Sequence, residues 1–237
     1  MINENTLKVE IWSDVVCPFC YIGKRRFEEA LAQFAGKNKV DVQWKSFLLD
    51  PSTATEPGKK IHQVLAEKKG WTIDYAKRMN QHVSKMANEV GLNYQFENVI
   101  PASSFDAHRL IQLATKYDLQ DAAEEILFRA YFIEGKNIDD RNTLLDLGTQ
   151  IGLNKAEIDS MLQSDAFADD VKADAYEAEQ IGVRGVPFFV FNRKYAVSGA
   201  QATEVFAKAL NSAWKELIEE NPIQMTDDNS CDIDSNC

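Results

Sequence analysis

The chain is poor in cysteine, in positive charge and in long apolar runs, and each shortage closes off a class of function. No stretch approaches the roughly 18 apolar residues of a membrane-spanning helix. Lys and Arg number 26 against 37 Asp and Glu, a net charge of -11. That balance disfavours nucleic-acid backbones and anionic membranes, both of which attract Lys/Arg patches. The opening segment "MINENTLKVEIWSD" has neither the basic n-region nor the continuous apolar h-region of a secretory signal, and reads directly as a strand. The expectation is a cytoplasmic protein. Structural disulfides are rare there, and cysteine pairs point to redox chemistry or metal. No internal repeat is visible. With 45% hydrophobic and 27% charged residues, the chain can still bury a real core.

Leu7, Val9 and Ile11 alternate with Lys8, Glu10 and Trp12, the period of a strand. From Pro18 a helical stripe follows through Phe27, Ala30, Leu31 and Phe34, ended by Gly36. Alternation returns over 40–49 with Val40, Val42 and Trp44. This is β-α-β, and a right-handed crossover makes the two strands parallel. After the turn-rich "DPSTATEPGKK" the pattern is almost wholly helical, with a stripe at Ala122, Ile126, Leu127 and Ala130. Strands at 186–191 and 195–199 and an amphipathic helix carrying Phe206, Leu210, Trp214 and Leu217 close the fold as β-β-α. The expected architecture is α/β, with residues 1–57 and 182–220 forming one discontinuous sheet domain and 58–181 inserted as a helical subdomain. Residues 221–237 hold four aspartates and no basic residue, an acidic tail with little to bury.

The four cysteines fall into two pairs. Cys17 and Cys20 lie in "SDVVCPFCYIGK", where a strand hands over to a helix. Pro18 suits the first helical position, which makes Cys17 the N-cap. A helix N-terminus favours an anion and so the thiolate, the attacking species. Cys17 is therefore the expected nucleophile and Cys20, one turn inside, the buried resolving thiol. Residues three apart on a helix keep their Cβ atoms about 5–6 Å apart, and a disulfide needs about 3.5–4.5 Å. With Cys17 just outside the regular helix the gap can close. The same C-x₂-C is also half of a zinc knuckle, although those usually sit in turns between short strands. Phe19 offers the thiolate no hydrogen bond and no positive charge, so the expected potential lies between about -120 and -270 mV. Lys24, Arg25 and Arg26 read as solvated, and His62 and His82 as surface residues of helices. Asp14 either assists proton transfer or caps the turn before Cys17, the cap being the simpler reading.

"GVRGVPFFVF" sets Pro187 at the start of a strand, where it donates no ladder hydrogen bond. A cis Val186–Pro187 bond resolves the conflict, and a trans proline opening an edge strand is the alternative. Together with "CPFC", "AHRL" at 107–110 and "GVRGVPFFVFNRKYAVSGAQ", this makes the chain, over about residues 6–220, resemble the DsbA family of thioredoxin-fold oxidoreductases. It is most similar to the cytosolic, FrnE-type branch. The resemblance implies a thioredoxin fold with a large helical insert, and a cis Pro187 facing Cys17 and Cys20. It also implies a free Val186 backbone that binds substrate polypeptide like an added strand. His108, in "FDAHRL", matches the family pattern; it either lines the cleft or packs within its helix, and is assigned no chemistry. The implied activity is thiol–disulfide exchange or isomerisation on protein thiols and disulfides. Glutathione is the small-thiol partner; no cofactor, metal, nucleic acid or membrane is called for.

Cys231 and Cys237, spaced C-x₅-C, stand outside the general thioredoxin pattern. FrnE-type proteins are similar in carrying a second C-terminal pair. The roughly 11 residues between the last helix and Cys231 span nearly 40 Å when extended. The tail pair is therefore expected to exchange disulfides with Cys17–Cys20 or to guard it, the alternative being two idle thiols. Two other functions stay open. One is a glutathione-dependent transferase or isomerase of the kappa or 2-hydroxychromene-2-carboxylate type, which has no need of Cys20. The other is a Cys₄ zinc site in a redox-gated chaperone.

Overall fold

Strand β1 (Leu7–Ser13) runs through the middle of a sheet ordered β2-β1-β3-β4 in a computed structural model that describes residues 6–220. Helix α1 (Pro18–Gln33) and a short 3₁₀ turn (Lys37–Lys39) return the chain to β2 (Val40–Ser46), which pairs parallel with β1, Ile11 opposite Trp44. Seven helices then intervene before the sheet resumes: α2 (Ile61–Lys69), α3 (Ile73–Glu89), α4 (Phe105–Thr115), α5 (Gln120–Phe132), α6 (Arg141–Gln150), α7 (Lys155–Leu162) and α8 (Ala168–Gln180). The antiparallel hairpin β3 (Phe188–Phe191) and β4 (Tyr195–Ser198) completes the sheet, with β3 against β1, and α9 (Thr203–Glu220) follows. This is a thioredoxin fold, β-α-β and β-β-α, carrying a helical block between its halves.

The sequence reading needs adjusting at element ends. Helix α1 stops at Gln33 with Phe34 as C-cap, and Gly36 instead opens the 3₁₀ turn. Strand β3 begins at Phe188, after Pro187. Strand β1 is not polar on one side: Glu10 and Trp12 are as buried as Ile11. The reason is that both sheet faces are covered. Leu7, Val9, Ile11, Phe189 and Phe191 pack with Phe27 of α1 and Phe206 of α9 on one side. Trp12 and Val190 pack with Ala178 of α8 and Val183 on the other. Glu10 is made tolerable by the Arg193 guanidinium.

The outer edge of β2 is closed by side chains that mimic a strand. The Trp44 N–H donates to Gln120 Oε1 at 2.9 Å, and Gln120 Nε2 donates back to the Trp44 carbonyl at 2.8 Å. The Ser46 N–H donates to Asp174 at 2.9 Å. Helices α5 and α8 are thereby tied to the sheet, and the edge is withheld from other strands.

Candidate active site

Helix α1 begins with Pro18, and Cys17 is its N-cap in extended conformation, φ -91° and ψ 113°. The chain reaches that position through a tight turn. The Cys17 N–H donates to the Asp14 carbonyl at 2.8 Å, while Asp14 Oδ1 accepts from the Val16 N–H at 3.2 Å. Asp14 is thus the cap the sequence suggested. It does more besides, accepting from the Leu49 N–H at 2.8 Å and so tying the turn to the segment after β2.

Both thiols are free, and they differ in burial: Cys17 is 4% exposed and Cys20 not at all. Burial and the neighbouring Cys17 push the Cys20 thiol well above the usual thiol range. The Asp14 N–H and the Ser13 hydroxyl face its sulfur and pull weakly the other way. Ser13 is buried, and among the described residues its hydroxyl has no other partner.

The Val186–Pro187 bond is cis, and it stands against the cysteines. The Cys17 thiol donates to the Val186 carbonyl at 3.5 Å. Gly23, in the second turn of α1, lets Pro187 come this close, since a Cβ there would lie 2.9 Å from Pro187 Cγ. Phe19, between the cysteines, is 39% exposed and forms part of the outer surface here. Cys17, Cys20, Val186 and Pro187 are therefore neighbours, whereas Cys231 and Cys237 lie outside the described residues.

Three expectations about nearby side chains are corrected. Lys24 is not solvated but 1% exposed. Burial works against its charge, but Asp121 at 3.0 Å, Glu28 and Glu125 at 3.4 Å outweigh it and hold the ammonium above its ordinary pKa. Arg25 and Arg26 are half-buried: Arg25 pairs with Glu125, and Arg26 donates to the Ala200 carbonyl at 2.7 Å. His62 is buried rather than superficial, held between Asn80 at 2.9 Å and Glu97 at 3.0 Å. His82 is on the surface, as expected.

Beneath the thiols the structure gathers groups that the sequence reading left apart. His108 of α4 is fully buried, with Nε2 3.4 Å from Asp14 Oδ1. Glu124 of α5 is 1% exposed, and burial raises its carboxyl well above the carboxylate range despite the nearby Lys24. Glu124 was missed, although a signal existed: it falls three, four and seven residues before Leu127, Phe128 and Tyr131, on the buried stripe of α5. A cleft of about 470 Å³, lined by Asp14, Val16, Leu49, Ile61, Lys68 and Tyr131, opens to solvent and reaches the Asp14 member of this group. Among the described residues, no cluster of His, Cys, Asp and Glu is arranged to hold a metal ion.

Comparison with known proteins places this arrangement. Residues 8–211 match the DSBA-like thioredoxin domain family. YwbO of Bacillus subtilis is 30% identical over 212 residues, 89% of this chain and 98% of its own length. A probable DsbA oxidoreductase of Streptomyces coelicolor is 40% identical with a TM-score of 0.83, covering 89% of this chain and 91% of that one. The cytosolic disulfide reductase DsbM of Pseudomonas aeruginosa shares the fold alone, at 16% identity and a TM-score of 0.60, with 90% and 97% covered. A free cysteine pair at the start of α1, a cis-proline loop against it and a match over most of the chain carry one conclusion: this protein belongs to the DsbA-like thioredoxin family.

Proposed function

We propose that this chain is a cytoplasmic thiol–disulfide oxidoreductase of the FrnE-like kind, acting on protein thiols and disulfides through Cys17 and Cys20. The observation that carries the reading is the asymmetry of the pair. One thiol sits at the helix N-cap beside the Val186 carbonyl, and the other is sealed beneath it. The Cys17 thiolate attacks a substrate disulfide, one substrate sulfur leaves as thiolate, and a mixed disulfide forms. Cys20 then attacks Cys17, releasing the second substrate thiol and leaving the Cys17–Cys20 disulfide. Oxidation of a substrate dithiol is the same sequence reversed.

Substrate backbone runs past Val186 and Pro187 in extended form, with Phe19 and the half-exposed Leu49 as apolar flanks. Glutathione serves as the small thiol that resets the pair, in keeping with the solved complex of the fold relative DsbM with GSH. The tail pair, Cys231 and Cys237, exchanges with Cys17–Cys20 as a second redox centre. A glutathione transferase or isomerase has no use for a resolving thiol under Cys17, and no observation here favours it.

The test is equilibration of the metal-free protein in glutathione buffers, with each cysteine pair followed by alkylation and peptide mass mapping. Reversible formation of Cys17–Cys20 is expected. Cys17→Ser should abolish exchange, and Cys20→Ser should accumulate the mixed disulfide. If the intact chain forms no Cys17–Cys20 disulfide at any ratio of oxidised to reduced glutathione, the reading is wrong. If the tail pair stays reduced throughout, only the relay falls.

A further inference from the structure

Resolving a mixed disulfide demands more of Cys20 than attack demands of Cys17. Cys20 is wholly buried, so its thiol keeps a proton at neutral pH, and that proton must leave before the sulfur can attack. No solvent touches the sulfur to take it.

A buried imidazole lies against the turn that carries the cysteines. His108 is fully buried, and among the described residues neither Nδ1 nor Nε2 finds a hydrogen-bond partner. Such an orphaned imidazole costs stability unless it serves a purpose. Its Nε2 faces Asp14 Oδ1 at 3.4 Å. Asp14 is 1% exposed, and among the described residues its side-chain oxygens accept from two neutral backbone donors, Val16 and Leu49. A proton arriving on the imidazole is met by the Asp14 side chain as an ion-pair partner. The backbone of the same Asp14 abuts the Cys20 sulfur, and its side chain lines the cleft of about 470 Å³ that opens to solvent.

We propose that His108 and Asp14 together form the proton acceptor for Cys20, and that the cleft is the route by which they exchange protons with water. The inference rests on the thiol–disulfide reading of Cys17 and Cys20. In the resolving step the Cys20 S–H bond breaks and its proton passes to the His108–Asp14 pair. The Cys20 electron pair forms the new S–S bond to Cys17 as the Cys17–substrate S–S bond breaks. The substrate sulfur leaves with that bonding pair as a thiolate and is protonated by water, and the imidazolium returns its proton through the cleft. The enzyme dithiol loses two electrons and the substrate disulfide gains two.

The other titratable groups around the pair do not compete with it. From α5, burial raises both Glu124 and Tyr131, which keeps them protonated further up the pH scale than such groups usually are. From α1, Lys24 is committed to Glu28, Asp121 and Glu125. Cys17 and Cys20 themselves are the reactants.

A chromogenic nitrothiobenzoate disulfide separates the two steps, because Cys17 attack releases one coloured thiolate and Cys20 resolution the second. The full chain is used with Cys231→Ser and Cys237→Ser to silence the tail. His108→Gln should leave the first release within about twofold and slow the second by about 100-fold at pH 7, the size of a general-base contribution. The deficit should close as pH is raised and Cys20 ionises without help. Asp14→Asn, which keeps one acceptor oxygen for the turn, should show the same pH-dependent deficit and guards against a His108→Gln variant that fails to fold. An unchanged second phase overturns the proposal. So does slowing of both phases by one factor at every pH, which would assign His108 to packing. If the parent chain releases no coloured thiolate, the thiol–disulfide reading itself has failed.

Discussion

Helix α1 divides its side chains between two cores of different character. Toward the sheet, Phe27, Phe189, Phe191 and Phe206 pack ring against ring with centroids between 4.7 and 6.2 Å apart, and among the described residues the buried cluster around them is apolar. Toward the helical block, Cys20, Tyr21 and Ile22 join a larger cluster built from α3 to α7. Asp14, Lys24, His108 and Glu124 are buried around it, none more than 1% exposed. The sheet side carries the fold, and the inserted helices set the surroundings of the thiols. The helices between the two halves of the sheet are therefore half of the candidate site and not an appendage to it.

The largest test of that contrast is a ring deletion in the apolar core. Phe206→Ala empties a fully buried site against Phe27 and Phe189. It should cost about 3–5 kcal/mol. Because nothing in that cluster titrates, urea denaturation should give the same loss at pH 5 and pH 8. A loss that changes between those pH values would mean the two cores are coupled.

The polar core should behave in the opposite way. Burial raises the Glu124 carboxyl well above its unfolded value of 4.5, so the folded protein holds a proton that the unfolded chain gives up. The stability this contributes is fully present below about pH 4.5 and is lost as pH rises toward the folded pKa. Over that interval the slope is about 1.4 kcal/mol per pH unit. Glu124→Gln keeps the shape and removes the titration. Its stability should match the parent chain near pH 4 and exceed it increasingly at higher pH, read from urea midpoints. Parallel profiles for the two proteins would show that Glu124 is not held neutral.

How much of this was legible in the sequence depends on whether the signal was local. The order β-α-β, helical block, β-β-α followed from period and turn residues, and Cys17 as N-cap from a proline at the next position. The cis bond at Pro187 followed from a conflict between proline and strand, together with family likeness. Misreadings clustered where a long-range partner overrides local polarity. Lys24 and His62 look like surface residues along their own helices, and carboxylates and an amide brought in from other segments, with Glu28 of α1 itself for Lys24, make their burial tolerable. His108 and Asp14 are ninety-four positions apart, and no spacing rule joins them. Glu124 alone could have been found, from its place on a buried stripe.

The smallest expected effect lies where the two cores meet. Gly23 sits on α1 between the cysteine turn and Phe27, and an added Cβ would be 2.9 Å from Pro187 Cγ and 3.4 Å from Phe189 Cζ. Phe189 is paired in the sheet and buried in the apolar core, while Pro187 precedes β3 and lies outside the ladder, so relief should come mostly from Pro187. Gly23→Ala should therefore cost only the lower end of the about 1–3 kcal/mol typical of overpacking. The displacement, however, falls on the segment carrying the Val186 carbonyl, 3.5 Å from the Cys17 sulfur. If substrate uses that backbone as proposed above, exchange with a peptide disulfide should slow more than reaction of Cys17 with a small alkylating agent. If both rates fall together, the perturbation has passed into α1 itself, and the loop is then a rigid extension of the sheet core and not a separate wall of the site.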